Sequence, residues 1–292
     1  MTIEIIPSGE SLSATIAGVN LATVSATDVE TVVQALGRYG LVRIPGQTLS
    51  AVELKNFSAH LGELEINVIG AFQEPGHPEI MTLSNIVENG KPIGLGDAGQ
   101  SWHSDMSYSN VIAFANVLHA LKVPVRDGKT LGATEFCDMC AAYDDLPESI
   151  KAQLQGKTIL HDFNKYWDMM RRKPGNTRPA LTEQQRKSKP PVSHSAVHIH
   201  PISHRKSLYA NPGYAVRFNE LPEAESDELL QFLFEHQTRE KYRYVFRWQI
   251  GDVLIWDNLR TIHQAVADYG ADEHRLMKRC QVMATRYFPL PE

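Results

Sequence analysis

A chain of 292 residues with 42% apolar and 22% charged side chains can bury a sizeable core, and all-β barrels and sandwiches of this length are often single units. A net charge of −5 argues against nucleic acid as a partner, which would want a basic face. No apolar run approaches 18 residues, there is no basic and apolar leader, and three cysteines cannot form a disulfide framework, so a soluble cytoplasmic protein with no membrane partner is expected.

Residues 3–7 and 13–17 alternate weakly and predict short strands. Val29, Val32, Val33 and Leu36 recur at helical spacing and predict a helix over 27–38, closed by Gly40. A strand follows over 40–45, and Ser50-Ala51-Val52-Glu53 is a capping box that starts a second helix running to about Leu61. Strands are then predicted over 79–83, 113–121, 131–136, 157–162, 241–248, 252–256 and 279–286. Many short strands, with two or three helices gathered near the N-terminus, suggest one domain over 1–292, mainly β with flanking helices, in a β-sandwich or jelly roll. From 165 to 191 the chain is polar, basic and without apolar periodicity; a structureless excursion of that length reads as a solvated surface loop or a mobile lid.

Three patterns look chemical and fail on context. Gly94-Leu95-Gly96-Asp97-Ala98-Gly99 matches a dinucleotide fingerprint by letter, yet it runs into Gln100-Ser101-Trp102-His103 with no helix to hold a pyrophosphate. Cys137-Asp138-Met139-Cys140 has no second pair to complete a zinc site. His194, His198, His200 and His204 are dense, and His198 with His200 could hold zinc in a non-oxidative binding protein or hydrolase, but no carboxylate stands within ten residues of them on either side.

One constellation survives. His103 and Asp105, two apart in an extended segment, face the same side, and an imidazole beside a carboxylate makes two-thirds of the triad that holds non-haem Fe(II). His263 follows the apolar strand that ends at Trp256-Asp257-Asn258, and Arg275 and Arg279 come after it, four apart and so on one face of a strand. Two guanidiniums on a metal-bearing face call for anions to receive them, such as a dicarboxylate cosubstrate and an anionic substrate.

In order, Trp102-His103-Ser104-Asp105, Asp127-Gly128-Lys129-Thr130, Thr134-Glu135-Phe136-Cys137-Asp138-Met139 and Trp256-Asp257-Asn258 with His263, Arg275 and Arg279 resemble the motifs of the taurine dioxygenase and chlorophenoxyacetate dioxygenase family of Fe(II)/2-oxoglutarate oxygenases. The resemblance implies a double-stranded β-helix (jelly roll, cupin-like) core, with Fe(II), 2-oxoglutarate and O₂ as cofactors. It implies His103, Asp105 and His263 as iron ligands and Thr130 with Arg275 as holders of the distal carboxylate of 2-oxoglutarate. Arg279, Asn67, Met106, Phe163 and Tyr214 would line the substrate site, in a homo-oligomer (dimer or tetramer). The chain departs from the pattern at Asn67, where the taurine enzyme has a sulfonate-contacting His, at Gly99, which replaces an Asn, and at Asp127 and Lys129. The resulting expectation is hydroxylation, with or without cleavage, of a small organic anion, a carboxylate with an apolar or aromatic body in preference to taurine or another alkylsulfonate. Asp105 argues against a halogenase, which needs that coordination position free.

Overall fold

Two capping boxes set the N-terminal helices. Ser25 and Asp28 exchange side-chain and backbone hydrogen bonds to start Ala26–Tyr39, and Ser50 and Glu53 do the same for Ala51–Leu61. The first helix stops where Gly40 takes φ +72° and its N–H donates to Leu36 O, a left-handed C-terminal cap that a side chain would strain. In this computed structural model, which describes residues 3–66, 72–173 and 180–288, both helices lie on one face of an eight-stranded sheet.

The sheet order is Glu4–Pro7, Ala14–Ala17, Leu41–Ile44, Val253–Asp257, Ala113–Lys122, Leu276–Met283, His77–Ser84, Gln73–Glu74. Alternation along its strands splits the core into two layers. Phe114, Val117, Val253, Ile255, Cys280 and Val282 pack under the helices with Val32, Leu36, Leu54 and Phe57. Leu118, Ala120, Leu254, Trp256 and Met277 face the other way and meet Phe136, Phe246 and Trp248. Phe136 and Phe246 come from a three-stranded sheet, Arg243–Phe246 beside Thr134–Asp138 beside Thr261–Ala265. Another three-stranded sheet, Val192–Ser195, Thr158–His161, Ala215–Phe218, packs under the helix Glu223–Gln237 through Ile159, Ala215, Phe218, Leu230 and Leu233.

The structure departs from the sequence expectation in three places. Helices are not confined to the N-terminal part: Met139–Asp144, Glu148–Leu154 and above all Glu223–Gln237 were not expected. The last begins after Pro222 with no side-chain cap, so the usual start signal is missing, although Glu223 and Glu225 sit at its positive end. The strand Thr261–Ala265, which carries His263, was also not expected. Finally, the segment read as structureless holds two helices, Phe163–Arg171 and Glu183–Ser188. The first is anchored by buried Tyr166 and Met170, and the second opens with a Thr182–Gln185 capping box. No helix among the described residues is long and apolar enough to cross a membrane.

Candidate active site

His103 and His263 are brought together by the backbone. The short segment at His103 forms an isolated antiparallel bridge with the strand that carries His263, each N–H donating to the other's carbonyl at 3.0 and 2.8 Å. The two rings then lie 4.2 Å apart between centroids. Phe136 and Trp256 back the His263 ring at 5.9 and 4.9 Å, and Tyr166 packs on His103 at 5.5 Å. Close packing here leaves no room at Gly213, where a Cβ would come within 3.1 Å of His103 Cβ and 3.0 Å of Tyr166.

Asp105 completes the group. Its Oδ1 is 3.6 Å from His103 Nε2 and its Oδ2 is 3.7 Å from His263 Nε2. The ligand atoms of the three buried residues all lie within 4.8 Å of one another, close enough to converge on one ion through bonds of about 2 Å. The protonation states suit this. His103 Nδ1 faces two carbonyl oxygens, Ser101 O at 2.8 Å and His263 O at 3.0 Å, so the proton belongs on Nδ1 and the Nε2 lone pair is free for a metal. Burial, with His103 alongside, holds the His263 imidazole well below its ordinary range and therefore neutral. Burial alone would raise the Asp105 carboxyl; Arg279 and the two histidines outweigh it and hold the group well below the usual carboxylate range. Two imidazoles and one carboxylate are the donor set of non-haem Fe(II).

The surroundings of Asp105 were only partly legible. Asn116, in the middle of the largely apolar strand Ala113–Lys122, donates Nδ2–H to Asp105 Oδ2 at 2.8 Å. Ser104 Oγ donates to Asn258 O at 2.7 Å, and Asn211 Nδ2 donates to Ser104 O at 2.8 Å. Neighbouring Asp257 takes the N–H groups of Leu259 and Arg260 and the Nε2–H of His200 at 2.7 Å. His200 is thus a fully buried partner of Asp257, while His198 stands edge-on to Tyr209; neither joins a metal-binding group among the described residues. Cys137 and Cys140 are buried, burial pushes both thiols up to about 12, and neither joins a metal-binding group among the described residues.

Arg279 and Arg275 differ in what they touch. Arg279 Nη1 is 3.6 Å from Asp105 Oδ2 and its Nη2 lies 3.4 Å from Met81 Sδ. Arg275 sits just before the strand, buried, with its N–H on Asn85 Oδ1 at 2.8 Å and its carbonyl receiving Ser84 Oγ–H at 2.8 Å. Its Nε has no partner among the described residues. Gly132 makes space for it: at φ +69° a Cβ would meet Tyr269 at 3.0 Å and Arg275 Cδ at 3.2 Å. Thr130 is half-buried at the end of a two-residue hairpin with Val125–Arg126, two residues before this glycine.

A cavity of about 420 Å³ opens over Asp105, walled by Met106, Tyr108, Phe163, Trp167 and Leu181 and carrying Arg279, Gln281, Glu65 and Lys189. Of the residues expected there, Met106 and Phe163 line it, and Met106 does so from a left-handed backbone, φ +58°. Tyr214 packs behind the lining, 4.8 Å from both Tyr108 and Tyr166. Asn67 lies outside the described residues.

The family described as taurine catabolism dioxygenase TauD, TfdA family matches residues 4–281. The chain belongs to that family. It is 33% identical to the alpha-ketoglutarate-dependent 2,4-dichlorophenoxyacetate dioxygenase of Burkholderia sp. (strain RASC), covering 90% of this chain and 88% of the relative. It is 30% identical to pentalenolactone F synthase of Streptomyces avermitilis over 96% and 93% of the two chains. The crystal structure of a taurine dioxygenase from Burkholderia xenovorans superposes with a TM-score of 0.77 at 25% identity, covering 97% and 90%. The protein is accordingly a 2-oxoglutarate-dependent non-haem iron dioxygenase, with Fe(II), 2-oxoglutarate and O₂ as its cofactors.

Proposed function

We propose that this TauD/TfdA-family enzyme hydroxylates a small organic acid, a carboxylate with an apolar or aromatic body, in a single-domain jelly roll formed by the large sheet and the strands facing it. The observation that carries the reading is the cavity itself: an aromatic wall of Tyr108, Phe163 and Trp167 standing over Asp105, with Arg279 beside it. An apolar body gains by leaving water for that wall, and a carboxylate gains a planar two-hydrogen-bond fork from a guanidinium.

In this reading His103 Nε2, Asp105 and His263 Nε2 hold the iron, and Ser101 and Asn116 fix the His103 and Asp105 orientations. Fe(II), once bound with 2-oxoglutarate and O₂, supplies the oxidation of a C–H bond to C–OH with release of succinate and CO₂. The chain's own residues position the partners. Arg275, with Thr130, anchors the distal carboxylate of 2-oxoglutarate; Arg279 receives the acid group of the substrate; Met106 and Phe163 hold its body, with Tyr214 behind them. A hydroxyl placed on carbon beside an ether oxygen collapses to a carbonyl, so ether-bearing acids are cleaved.

Succinate formation across aryl and alkyl carboxylates, taurine, other sulfonates and sulfate esters tests this. Aryl carboxylates are expected to give the highest substrate-dependent succinate yield. Selective turnover of taurine or an alkylsulfonate overturns the substrate class and leaves the reaction class standing.

A further inference from the structure

Two charged side chains of the cavity have no part in the scheme above. Glu65 follows the second helix, and Lys189 comes directly after the helix Glu183–Ser188. Arg279 is already engaged by Asp105 and Met81. Lys189 is not: it is half-buried, its ammonium stands 5.8 Å from the centroid of the Tyr108 ring, and no carboxylate lies within 4.0 Å of it among the described residues. Glu65 is the carboxylate that feels it; burial raises the Glu65 carboxyl and the field of Lys189 opposes that rise.

An ammonium drawn over an aromatic wall loses part of its hydration and recovers only a weak cation–π attraction. The remaining hydrogen-bonding capacity of its three N–H donors is open to a ligand in the same cavity. Glu65, on the same cavity, lies in the field of Lys189 and repels an acid.

Resting on the aromatic-acid reading above, we propose that Lys189 is a specificity-determining residue: it is the second cation that reads the negative charge of the substrate, and with Glu65 it sets how strongly acids are preferred over neutral analogues. Removing it strips a charge-assisted contact from acids and leaves the binding of neutral molecules to the aromatic wall in place. Removing the Glu65 charge lifts a repulsion from acids and leaves neutral molecules little changed.

The test uses the full-length enzyme loaded anaerobically with Fe(II) and 2-oxoglutarate, with phenoxyacetate and its neutral amide as probes, binding read by titration calorimetry. Lys189→Met is expected to weaken phenoxyacetate about tenfold or more, and to leave the amide and 2-oxoglutarate within about threefold. Lys189→Arg is expected to retain the acid, and Glu65→Gln to tighten it. Equal weakening of acid and amide by Lys189→Met, or no weakening of either, overturns the proposal, since the first outcome is that of a residue that only braces the Tyr108 wall. A parent enzyme that binds neither probe overturns the aromatic-acid reading, and the role of Lys189 with it.

Discussion

Arg275→Ala tests the proposed anchoring of 2-oxoglutarate by Arg275. Arg275 is 8% exposed, its Nε is unpartnered, and no carboxylate stands within ion-pair distance among the described residues. Burial lowers the pKa of the guanidinium, with Tyr269 partly offsetting that, the mark of a cation held out of water without a full counter-charge. In the ligand-free enzyme the Ala variant therefore gives up little stability. With 2-oxoglutarate it gives up the buried charge-assisted pair, about 2–5 kcal/mol, or roughly 30-fold to several thousandfold in affinity. At a concentration 100 times the parent Kd, 2-oxoglutarate stabilises the parent by about 2.7 kcal/mol. A variant weakened 100-fold is stabilised by only about 0.4 kcal/mol at the same concentration. Thermal unfolding with and without 2-oxoglutarate in the Fe(II)-loaded enzymes reads this directly: the parent shifts and Arg275→Ala barely does. Arg275→Lys recovers part of the shift, because a point charge lacks the planar fork. Arg279→Ala keeps most of it and loses affinity for the primary substrate instead. An Arg275→Ala variant that is stabilised as much as the parent refutes the assignment of this residue to the cosubstrate.

Other outcomes follow from single contacts. Asp105→Ala removes the one anionic member of the group and is expected to abolish hydroxylation; near-parental turnover in assays with added Fe(II) contradicts the triad. His198→Ala and His200→Ala leave iron content unchanged, but His200→Ala removes one of three hydrogen-bond donors from the buried Asp257 carboxylate and lowers stability by about 1–3 kcal/mol in urea unfolding. Burial pushes His161 down to about 3 and His198 down to about 4, from 6.5. The unfolded chain therefore takes up protons first as pH falls. Stability fully present above about pH 6.5 is lost between there and about pH 4, at up to about 1.4 kcal/mol per pH unit for each group. Urea midpoints at pH 7 and pH 5 should differ less in His161→Gln than in the parent.

Much of this was legible from residue order. The two capping boxes, the alternating strands of the large sheet and the pairing of His103 with Asp105 could each be read from local rules, because period and cap chemistry act over a few residues; His263, far along the chain, was joined to that pair by the resemblance of the ordered motifs. The helix Glu223–Gln237 was hidden by its uncapped start at Pro222 and by a buried face that includes Ser226, His236 and Gln237. The helices within 165–191 were hidden by their polar surfaces, since Glu183–Ser188 buries no side chain at all. Asn116 carried a signal in the sequence, an amide within a largely apolar run, since such a group needs a partner wherever it is buried. Glu65, Trp167 and Lys189 gave no such signal. They meet around one cavity only after the helix Glu183–Ser188 folds back over the site, and that is a tertiary contact no local pattern encodes.

The central claim is that one iron binds at His103, Asp105 and His263 and that 2-oxoglutarate binds beside it. Anaerobic titration of Fe(II) and then 2-oxoglutarate into the parent and into His103→Ala, Asp105→Ala and His263→Ala, followed by visible absorption and bound iron, tests it most directly. The account predicts one iron per chain and a 2-oxoglutarate-dependent charge-transfer band in the parent, with band and tight iron binding lost in the histidine variants and the band weakened or lost in Asp105→Ala. Parental iron binding and an unchanged band in either histidine variant would contradict it.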